Sequence, residues 1–575
     1  MSVLVLISAA GVFGCAPKTD VSATGNVPAQ YSHLYVSVRE IWFHASATAG
    51  PEDTGWIKFT LSTPVTVDLS VSVDGTLKSI TTGLAVPIGT YAQVRLIPVD
   101  ASSTLLSSAG NLGALYNSQV DYTDSAGAVQ RVPLELQNPD KGIGIATSIS
   151  VKGTATNVFS TTTSTAASPT AAAPASTTTS TTTGSSSATS ATPFSLAINI
   201  DGAKDLVPFT YGKVSGMLLN PHVTAYDASA VGAIQGTLNI GGLAGLTSAS
   251  TSSFVNVQVT AESLSADGTR HVAVNSAPVR SDGTFTLYPL STSSGSPTSY
   301  DLVIHGPRIA TIIVKGVAVN AGNPTSTTPV SIGTLTPTAA TSFTVNLTAT
   351  SPLPAGASVG FYQTLPGSNE VPYLIEERPI DPFSRTFAAD QAISGATLQY
   401  GTFSAGSNVS LTSADPTEGA STYRVAATAP LFADGVMTTT VTAPSGTSTT
   451  ATLIAVPTLF VASGAGSNTT VVTISQTTPG KYNQGDLIIS HDGAIVATAV
   501  LDSALTKNAA ASLAISGLPG GIGGGLSSPF TAALYYVSVR VWNSSDPAGT
   551  LNREIYPAAL DLRTGSLTPY SLVIN

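Results

Sequence analysis

Short stretches in which apolar and polar residues alternate recur along most of the chain, and this pattern predicts β-strands. The first stretch, residues 33–44, would place Leu34, Val36 and Val38 on one buried face. Further stretches follow after Gly and Pro turns, at residues 56–59, 65–69 and 91–96. No segment keeps apolar residues at a 3.6-residue period over three turns. The pattern therefore predicts an all-β fold.

The same rhythm of short strands and turns continues to the end of the chain and is typical of β-sandwiches. Alternating apolar faces occur at Phe343, Val345 and Leu347 and again at Val537, Val539 and Val541. A chain of 575 residues is too long for one core, and about 150 residues per domain predicts three to five domains. We therefore expect several β-sandwich domains in series.

The order of these segments predicts the domain organisation. We expect a signal peptide at residues 1–15, a flexible tether at 16–30, an N-terminal domain at 31–227, and β-sandwiches at 230–335, 340–455 and 456–575. Within the N-terminal domain, residues 153–192 consist almost wholly of Thr, Ser, Ala and Pro. Such a segment has little to bury, so it is predicted to be a disordered insert, whose hydroxyl groups could also accept O-glycans.

Charged residues are scarce in this chain. They make up 9% of it, against roughly 25% in an average soluble protein. Ser, Thr, Gly and Asn supply the polar surface instead, which suits strands and loops. The net charge is −10 and no basic stripe interrupts the acidic surface, which argues against binding to nucleic acid.

The single cysteine, Cys15, excludes an intramolecular disulfide and a cysteine-based metal site. It follows an apolar run of about eleven residues, which is too short to span a membrane. The letters VFGC at residues 12–15 resemble the lipobox of bacterial lipoproteins, although no Lys or Arg precedes the apolar run. The resemblance implies acylation of Cys15 and, because Ala16 follows rather than Asp, sorting to the outer membrane. A buried N-terminal strand is the alternative.

Two motifs in the N-terminal domain resemble a known family. The letters VDL at residues 67–69 and VPIGTYAQVRL at 86–96 resemble the signature strands of domain of unknown function 4382, and residues 194–221 are similar to its closing segment. The resemblance covers about residues 31–227. The usual opening Thr-Asp-Ala-Pro is absent, and residues 142–145 only approximate one strand of the family. The resemblance implies a lipoprotein architecture and a place in the envelope, but the family has no assigned activity.

The second domain is similar to the carboxypeptidase-regulatory, or transthyretin-like, β-sandwich. Its strands follow the spacing of that family at residues 234–238, 255–259, 281–287 and 300–304. Asp282-Gly283 fits a tight hairpin turn, because Gly accepts the positive φ that such a turn requires. The resemblance implies a passive spacer or a binding sandwich. No family is recognised for residues 340–575.

Candidate catalytic residues are scattered along the chain. The histidines lack the spacing of a zinc-binding helix and are each expected to be structural: His33, His44, His222, His271, His305 and His491. The letters GASVG at residues 356–360 match the nucleophile elbow of serine hydrolases, but prolines precede them and a strand follows, which favours chance. The glycine-rich residues 517–525 lack the Lys-Ser/Thr ending of a phosphate-binding loop.

The densest charge lies at residues 376–385, with the letters EERPIDPFSR. Glu376 and Glu377 are neighbours and would point to opposite faces of a strand, so they cannot form an acid–base pair. We expect a solvated loop with local salt bridges, and the alternative is a contact loop for a partner. Trp42 and Trp56 lie in apolar strands and are expected to pack in the core.

These observations favour a lipid-anchored protein of the bacterial cell envelope that acts as a non-catalytic binding, adhesion or scaffolding module. Its predicted partners are the membrane, through acyl chains on Cys15, and an envelope or extracellular ligand. No catalytic residue, cofactor or metal site is predicted. The alternative is an envelope hydrolase acting on glycan or peptide, whose site forms only in three dimensions. A third hypothesis is a subunit of a repeating surface assembly, which would expose sheet edges.

Overall fold

The computed structural model describes residues 18–152, 194–239, 257–292, 297–322, 329–347, 357–383, 392–394, 397–429, 437, 439–443, 450–453, 470–505, 511–515, 534–546, 553–555, 559–561 and 570–575, except residues 73, 125, 212–213 and 307. Cys15, the predicted insert 153–192 and the glycine-rich residues 517–525 lie outside them. The described part is nearly all β-structure, which confirms the predicted fold class. The helical segments in it are a 3-10 turn at Ser70–Ser72, α1 (Ser107–Asn111), α2 (Gly202–Asp205) and α3 (Asp502–Leu505).

The N-terminal unit, residues 18–227, packs two sheets around one core. Its strands are β1 (Lys18–Asn26), β2 (Tyr31–His44), β3 (Ile57–Asp68), β4 (Lys78–Ala85), β5 (Gly89–Pro98), β6 (Gln119–Thr123), β7 (Val129–Glu135), β8 (Ile143–Val151), β9 (Phe194–Asp201), β10 (Leu206–Tyr211), β11 (Val214–Leu219) and β12 (Thr224–Asp227). One sheet has the order β12-β9-β1-β4, and the other has the order β10-β11-β7-β6-β2-β5-β8, with β3 also paired to β2. Leu34, Ile41 and Leu196 are fully buried in this core.

The prediction of a flexible tether over residues 16–30 is wrong for Lys18–Asn26. β1 is an inner strand that pairs antiparallel with β4 and parallel with β9. Val21 and Ala23 are both buried against these partners. The segment was hard to identify because its residues are small and polar, and only the neighbouring strands make it part of a sheet.

The second unit is a two-sheet sandwich. Its strands are β13 (Val231–Leu238), β14 (Gln258–Leu264), β15 (His271–Pro278), β16 (Thr284–Ser291), β17 (Thr298–His305), β18 (Ile312–Val319) and β19 (Val330–Leu335). One sheet has the order β16-β13-β19, and the other begins β15-β14-β17-β18. Gly283 does adopt a positive φ, but its turn connects β15 and β16, which belong to different sheets. The predicted hairpin at Asp282-Gly283 is therefore a connection between the sheets.

The third and fourth units follow. The third comprises β20 (Ser342–Leu347), β21 (Ser358–Gln363), β22 (Tyr373–Pro379), β23 (Ala392–Ser394), β24 (Leu398–Thr402), β25 (Thr412–Ala414), β26 (Thr422–Thr428), β27 (Thr439–Thr442) and β28 (Thr450–Leu453). The fourth comprises β29 (Thr470–Gln476), β30 (Gln484–His491), β31 (Ala494–Val500), β32 (Ala511–Ile515), β33 (Leu534–Trp542), β34 (Arg553–Ile555), β35 (Ala559–Asp561) and β36 (Tyr570–Ile574). Their sheets have the orders β23-β20-β28, β22-β21-β26-β27, β32-β29-β36 and β31-β30-β33-β34, with β35 also paired to β33.

One sandwich plan recurs in these three units. The first strand of each unit is the centre of a three-stranded sheet, and it pairs in parallel with the last strand of the same unit: β13 with β19, β20 with β28 and β29 with β36. The N-terminal unit places β1 between β4 and β9 in the same way but continues with β10, β11 and β12. The four units therefore share a topology, while membership of the second in the carboxypeptidase-regulatory-like family stays a prediction.

Two strands cross the predicted boundary between the second and third units. β24 pairs in parallel with β18, and β25 pairs with β24, so both extend a sheet of the second unit. Val409, between these strands, packs in the core of the second unit, whereas Leu398 packs in the core of the third. The two units are therefore joined by a continuous sheet.

Candidate functional site

The six histidines lie apart from one another in the fold. Four contact one carboxylate each: His33 with Asp68, His222 with Asp205, His271 with Asp301 and His491 with Asp492. His44 contacts the backbone of residues 46 and 54, and His305 lines a small cavity beside Glu376. Among the described residues, no group of three or more His, Cys, Asp or Glu side chains could hold a metal ion.

Ser358, the centre of the GASVG match, is buried in the inner strand β21. This strand pairs with β22 on one side and β26 on the other. A nucleophile elbow needs a sharp strand-to-helix turn that exposes the serine. Ser358 therefore lacks the geometry of a hydrolase nucleophile.

The prediction of a solvated loop over residues 376–385 is wrong for its first residues. Glu376, Glu377 and Arg378 lie in β22, and Arg378 is buried. Arg378 donates to Glu376 at 2.8 Å (Nε–Oε1), whereas Glu377 pairs with Lys204 of the N-terminal unit at 3.1 Å (Oε2–Nζ). The charged residues here form a contact between units, because Glu377 belongs to the third unit and Lys204 to the N-terminal unit.

The Lys204–Glu377 pair belongs to a polar junction between the first three units. Asp201 accepts a hydrogen bond from Ser276 of the second unit at 2.9 Å (Oδ2–Oγ), and Asn26 donates to Asn275 of the second unit. Asp205 is fully buried and accepts hydrogen bonds from the backbone N–H groups of residues 201 and 222. These groups connect α2 and the end of β9 to β15 and β22. We call this set the three-unit junction.

Burial and neighbouring charge shift the pKa values in the three-unit junction. Burial raises the pKa of Asp201 to about 6. Burial alone would lower the pKa of Lys204, but Glu377 and Asp201 outweigh it and raise the pKa. Burial alone would raise the pKa of Glu377, but Lys204 and His222 outweigh it and lower the pKa. Lys204 and Glu377 are therefore charged at neutral pH, whereas Asp201 titrates close to it.

A second polar junction joins the N-terminal and fourth units. Arg95, only 1% exposed, donates to Asp492 at 2.7 Å (Nη2–Oδ1) and to the carbonyl oxygen of Lys141 at 2.9 Å. Arg540 of the fourth unit donates to Glu135 at 2.5 Å (Nη2–Oε2). Further contacts across the same boundary are Ser538–Gln137, Ser490–Asn138 and Ile495–Asn220. These pairs fix the fourth unit against β5, the end of β7 with the segment that follows it, and the residue after β11.

A cavity of about 400 Å³ lies in the N-terminal unit, next to this second junction. Its wall is largely apolar and is formed by Val36, Pro98, Val99, Ala101, Pro133, Leu134, Leu136, Pro139, Ile143 and Leu219. Its polar lining residues are Asp100, Ser102, Tyr116, Ser118 and Glu135. The volume falls in the range of roughly 300–1,000 Å³ that is usual for small-ligand sites.

One side of the cavity is formed by residues 99–118, the loop that connects β5 to β6 and contains α1. Asn117 is fully buried and organises this loop. Its Oδ1 accepts from the backbone N–H of Leu106 at 2.8 Å, and its Nδ2 donates to the hydroxyl of Ser103 at 2.9 Å. Hydrogen bonds from one buried side chain to several points of a loop hold that loop in one conformation.

In the described part of the chain, no helix has the length and apolar character needed to cross a membrane.

Residues 20–167 match the family model described as Domain of unknown function (DUF4382). The match confirms the N-terminal domain that the VDL and VPIGTYAQVRL motifs predicted, and it begins within β1. The motif residues hold the fold together. Asp68 accepts hydrogen bonds from the backbone N–H groups of residues 34 and 70, and the hydroxyl of Tyr91 donates to the carbonyl oxygen of Pro87. Arg95, the arginine of the motif, binds the fourth unit.

No curated protein matches the chain. Among solved structures, the pilus adhesin SpaC from Lactobacillus rhamnosus GG is 11% identical, with a match that covers 63% of this chain and 41% of the adhesin chain at a TM-score of 0.13. A tetra-tandem repeat in the extending region of a large adhesion protein is 12% identical. That match covers 95% of this chain and 100% of the repeat chain, at a TM-score of 0.09. Both TM-scores are far below 0.5.

Proposed function

We propose that this chain is a load-bearing, non-catalytic binding or scaffolding module of the bacterial cell envelope, anchored by acyl chains on Cys15. The observation that supports this proposal is the parallel pairing of the first and last strands in the second, third and fourth units. In such a pair, the chain enters at one end of the sheet and leaves at the other. Tension along the chain then acts parallel to the strands and loads all the hydrogen bonds of the ladder together.

The distribution of charge supports a non-catalytic role. The chain has few charged residues, and several of its buried or half-buried ones pair across unit boundaries, as Arg95 does with Asp492 and Lys204 with Glu377. An acid–base site needs titratable groups that converge on a cleft. In this chain these groups connect one unit to the next, which suits a scaffold.

Pulling the full chain by its two ends in a single-molecule force experiment tests the load-bearing role. We expect the second and third units to open at high force, because their terminal ladders are sheared. Each unit of roughly 105 residues would add about 350 Å of length when it opens. The N-terminal unit would add about 700 Å and can be distinguished by that length.

The N-terminal unit is the internal control of this experiment. Val21 in β1 and Asp227 in β12 both lie beside Leu196 of β9, so the chain enters and leaves this unit at the same end of the sheet. Tension therefore peels its strands one after another, and it should open at lower force. Opening of the second and third units at or below the force of the N-terminal unit would contradict the proposal.

A Cys15→Ala variant tests the proposed anchor. We expect the wild-type chain in the membrane fraction and the variant in the soluble fraction, because one or more acyl chains would be lost. Treatment of intact cells with protease then distinguishes a surface-facing from a periplasmic protein. A Ser2→Ala variant is the matched control and should stay in the membrane fraction. Equal partitioning of wild type and Cys15→Ala would exclude lipid anchoring at this residue.

A further inference from the structure

We propose that the cavity beside loop 99–118 binds a small ligand that combines an apolar body with a positively charged head group. The proposal rests on the binding role proposed above and names the class of ligand for it. Three observations support it: the charge of the lining, the apolar wall and the way the wall is held in place.

The charge of the lining selects a cation. Asp100 and Glu135 are its two ionisable carboxylates, and no Lys, Arg or His is found among the described residues that line the cavity. Arg540 contacts Glu135 from the fourth unit and balances that charge. Asp100 has no ion-pair partner in the described part of the chain; its Oδ1 accepts hydrogen bonds from the N–H and the hydroxyl of Ser102. A carboxylate beside apolar walls attracts a cation more strongly than one in open water.

The apolar wall provides contacts for the body of the ligand. Val99 and Pro133, both half-buried, line the same space as Asp100, so a ligand can place its head group on the carboxylate and its apolar part on these side chains. The adjoining loop carries more apolar surface: Leu105, Leu112 and Leu115 are 44%, 44% and 58% exposed. Leucine side chains so exposed on one ordered loop suit contact with a ligand that extends beyond the cavity.

The cavity is also held in shape from both sides. Asn117 fixes the loop, and contacts with the fourth unit fix the opposite wall, where Gln137 and Asn138 bind Ser538 and Ser490. A site formed in advance needs little ordering when the ligand binds, which raises affinity for a given set of contacts.

The test uses the purified full chain and three probes of the same length: hexylammonium, hexanol and hexanoate. Binding is measured by saturation-transfer NMR and by calorimetry. We expect hexylammonium to bind at least tenfold more tightly than hexanol, and hexanoate to bind least. Equal or tighter binding of hexanol or hexanoate would overturn the assignment of a cationic head group. Binding of no probe would overturn the site.

Two variants test whether the probes bind in the cavity. Asp100→Asn should weaken the binding of hexylammonium about tenfold and leave the binding of hexanol unchanged, because only the charge of the carboxylate is removed. Ala101→Phe should abolish binding of both probes by filling the cavity. The matched control is Asp267→Asn: Asp267 accepts hydrogen bonds from the N–H and hydroxyl of Thr269 in the same local geometry, but it lies in an exposed turn of the second unit. An equal effect of the two Asp→Asn changes would overturn the proposal.

A fourth probe, the peptide acetyl-Leu-Lys-Leu-amide, distinguishes two sources of the same chemistry. Tighter binding of the peptide than of hexylammonium would assign the site to a lysine side chain of a protein partner, and the reverse would assign it to a free amine. Force and fractionation measurements do not depend on these probes. Failure of the cavity to bind a cation therefore leaves the proposed load-bearing function to be judged by its own experiments.

Discussion

Replacing Arg95 with methionine is expected to lower the free energy of unfolding by about 3–5 kcal/mol. The guanidinium of Arg95 is buried between the N-terminal and fourth units and bonds both Asp492 and the carbonyl oxygen of Lys141. Methionine fills a similar volume but offers no donor, so the carboxylate and the carbonyl would face an apolar side chain. Chemical denaturation followed by tryptophan fluorescence, which reports on Trp42 and Trp56 in the N-terminal unit and on Trp542 in the fourth, measures the change.

Arg39→Met is the matched control. Like Arg95, Arg39 pairs with an aspartate: Asp140, which lies in the same unit, at 2.9 Å. The side chains of Arg39 and Asp140 are, however, 37% and 80% exposed. An exposed pair contributes about 0–1 kcal/mol, so this variant should unfold almost like the wild type. A double-mutant cycle with Asp492→Asn isolates the contact itself. If the losses in the free energy of unfolding of the two single variants simply add up in the double variant, Arg95 and Asp492 do not stabilise one another.

The three-unit junction is expected to lose about 3 kcal/mol of stability as pH rises from 4 to 7, through the titration of Asp201. The pKa of this carboxyl is raised from 3.8 to about 6 by burial. A raised pKa means that the folded state holds the proton more tightly than the unfolded chain. The stabilising effect is therefore complete below about pH 4 and is lost as pH rises through 6.

Denaturation of wild type and Asp201→Asn at closely spaced pH values measures this effect. The variant keeps an uncharged side chain at this position, so its stability should change less than that of wild type between pH 4 and 6. His222, whose pKa is raised by Asp205 despite burial, acts above this window. Glu377, whose pKa is lowered from 4.5, acts at its acid end, and both proteins share that effect. Parallel profiles for the two proteins would show that the folded and unfolded chains bind the proton of Asp201 equally, which would contradict the prediction.

The fold class was predictable from the sequence because strand alternation is a local property. Leu34, Val36 and Val38 are buried as their alternation predicts. Pairing between distant strands is not local, and here prediction failed. Nothing in Lys18–Asn26 identifies β9 as its parallel partner, and nothing in Leu398–Thr402 indicates that it joins the sheet of the preceding unit.

The candidate site was less predictable than the fold. The cavity is lined by segments of five strands and two loops, and its lining residues form no motif in the sequence. Two signals did point to the unit junctions. The charge at Glu376 and Glu377 was unusual for so uncharged a chain, and Arg95 stands between Val94 and Leu96 in a predicted strand. Both were evident in the sequence, but their partners, Lys204 and Asp492, could be found only in three dimensions.

Because β24 completes the sheet of the second unit, this sheet cannot be finished until part of the third unit has been synthesised. β18 leaves the ribosome with an unpaired edge, and its partner β24 follows roughly 80 residues later, a delay of about 4–16 s at ordinary rates of translation. An open edge can pair with another nascent chain during that time. During synthesis the second unit therefore passes through a stage in which the edge of β18 is open to pairing with another chain.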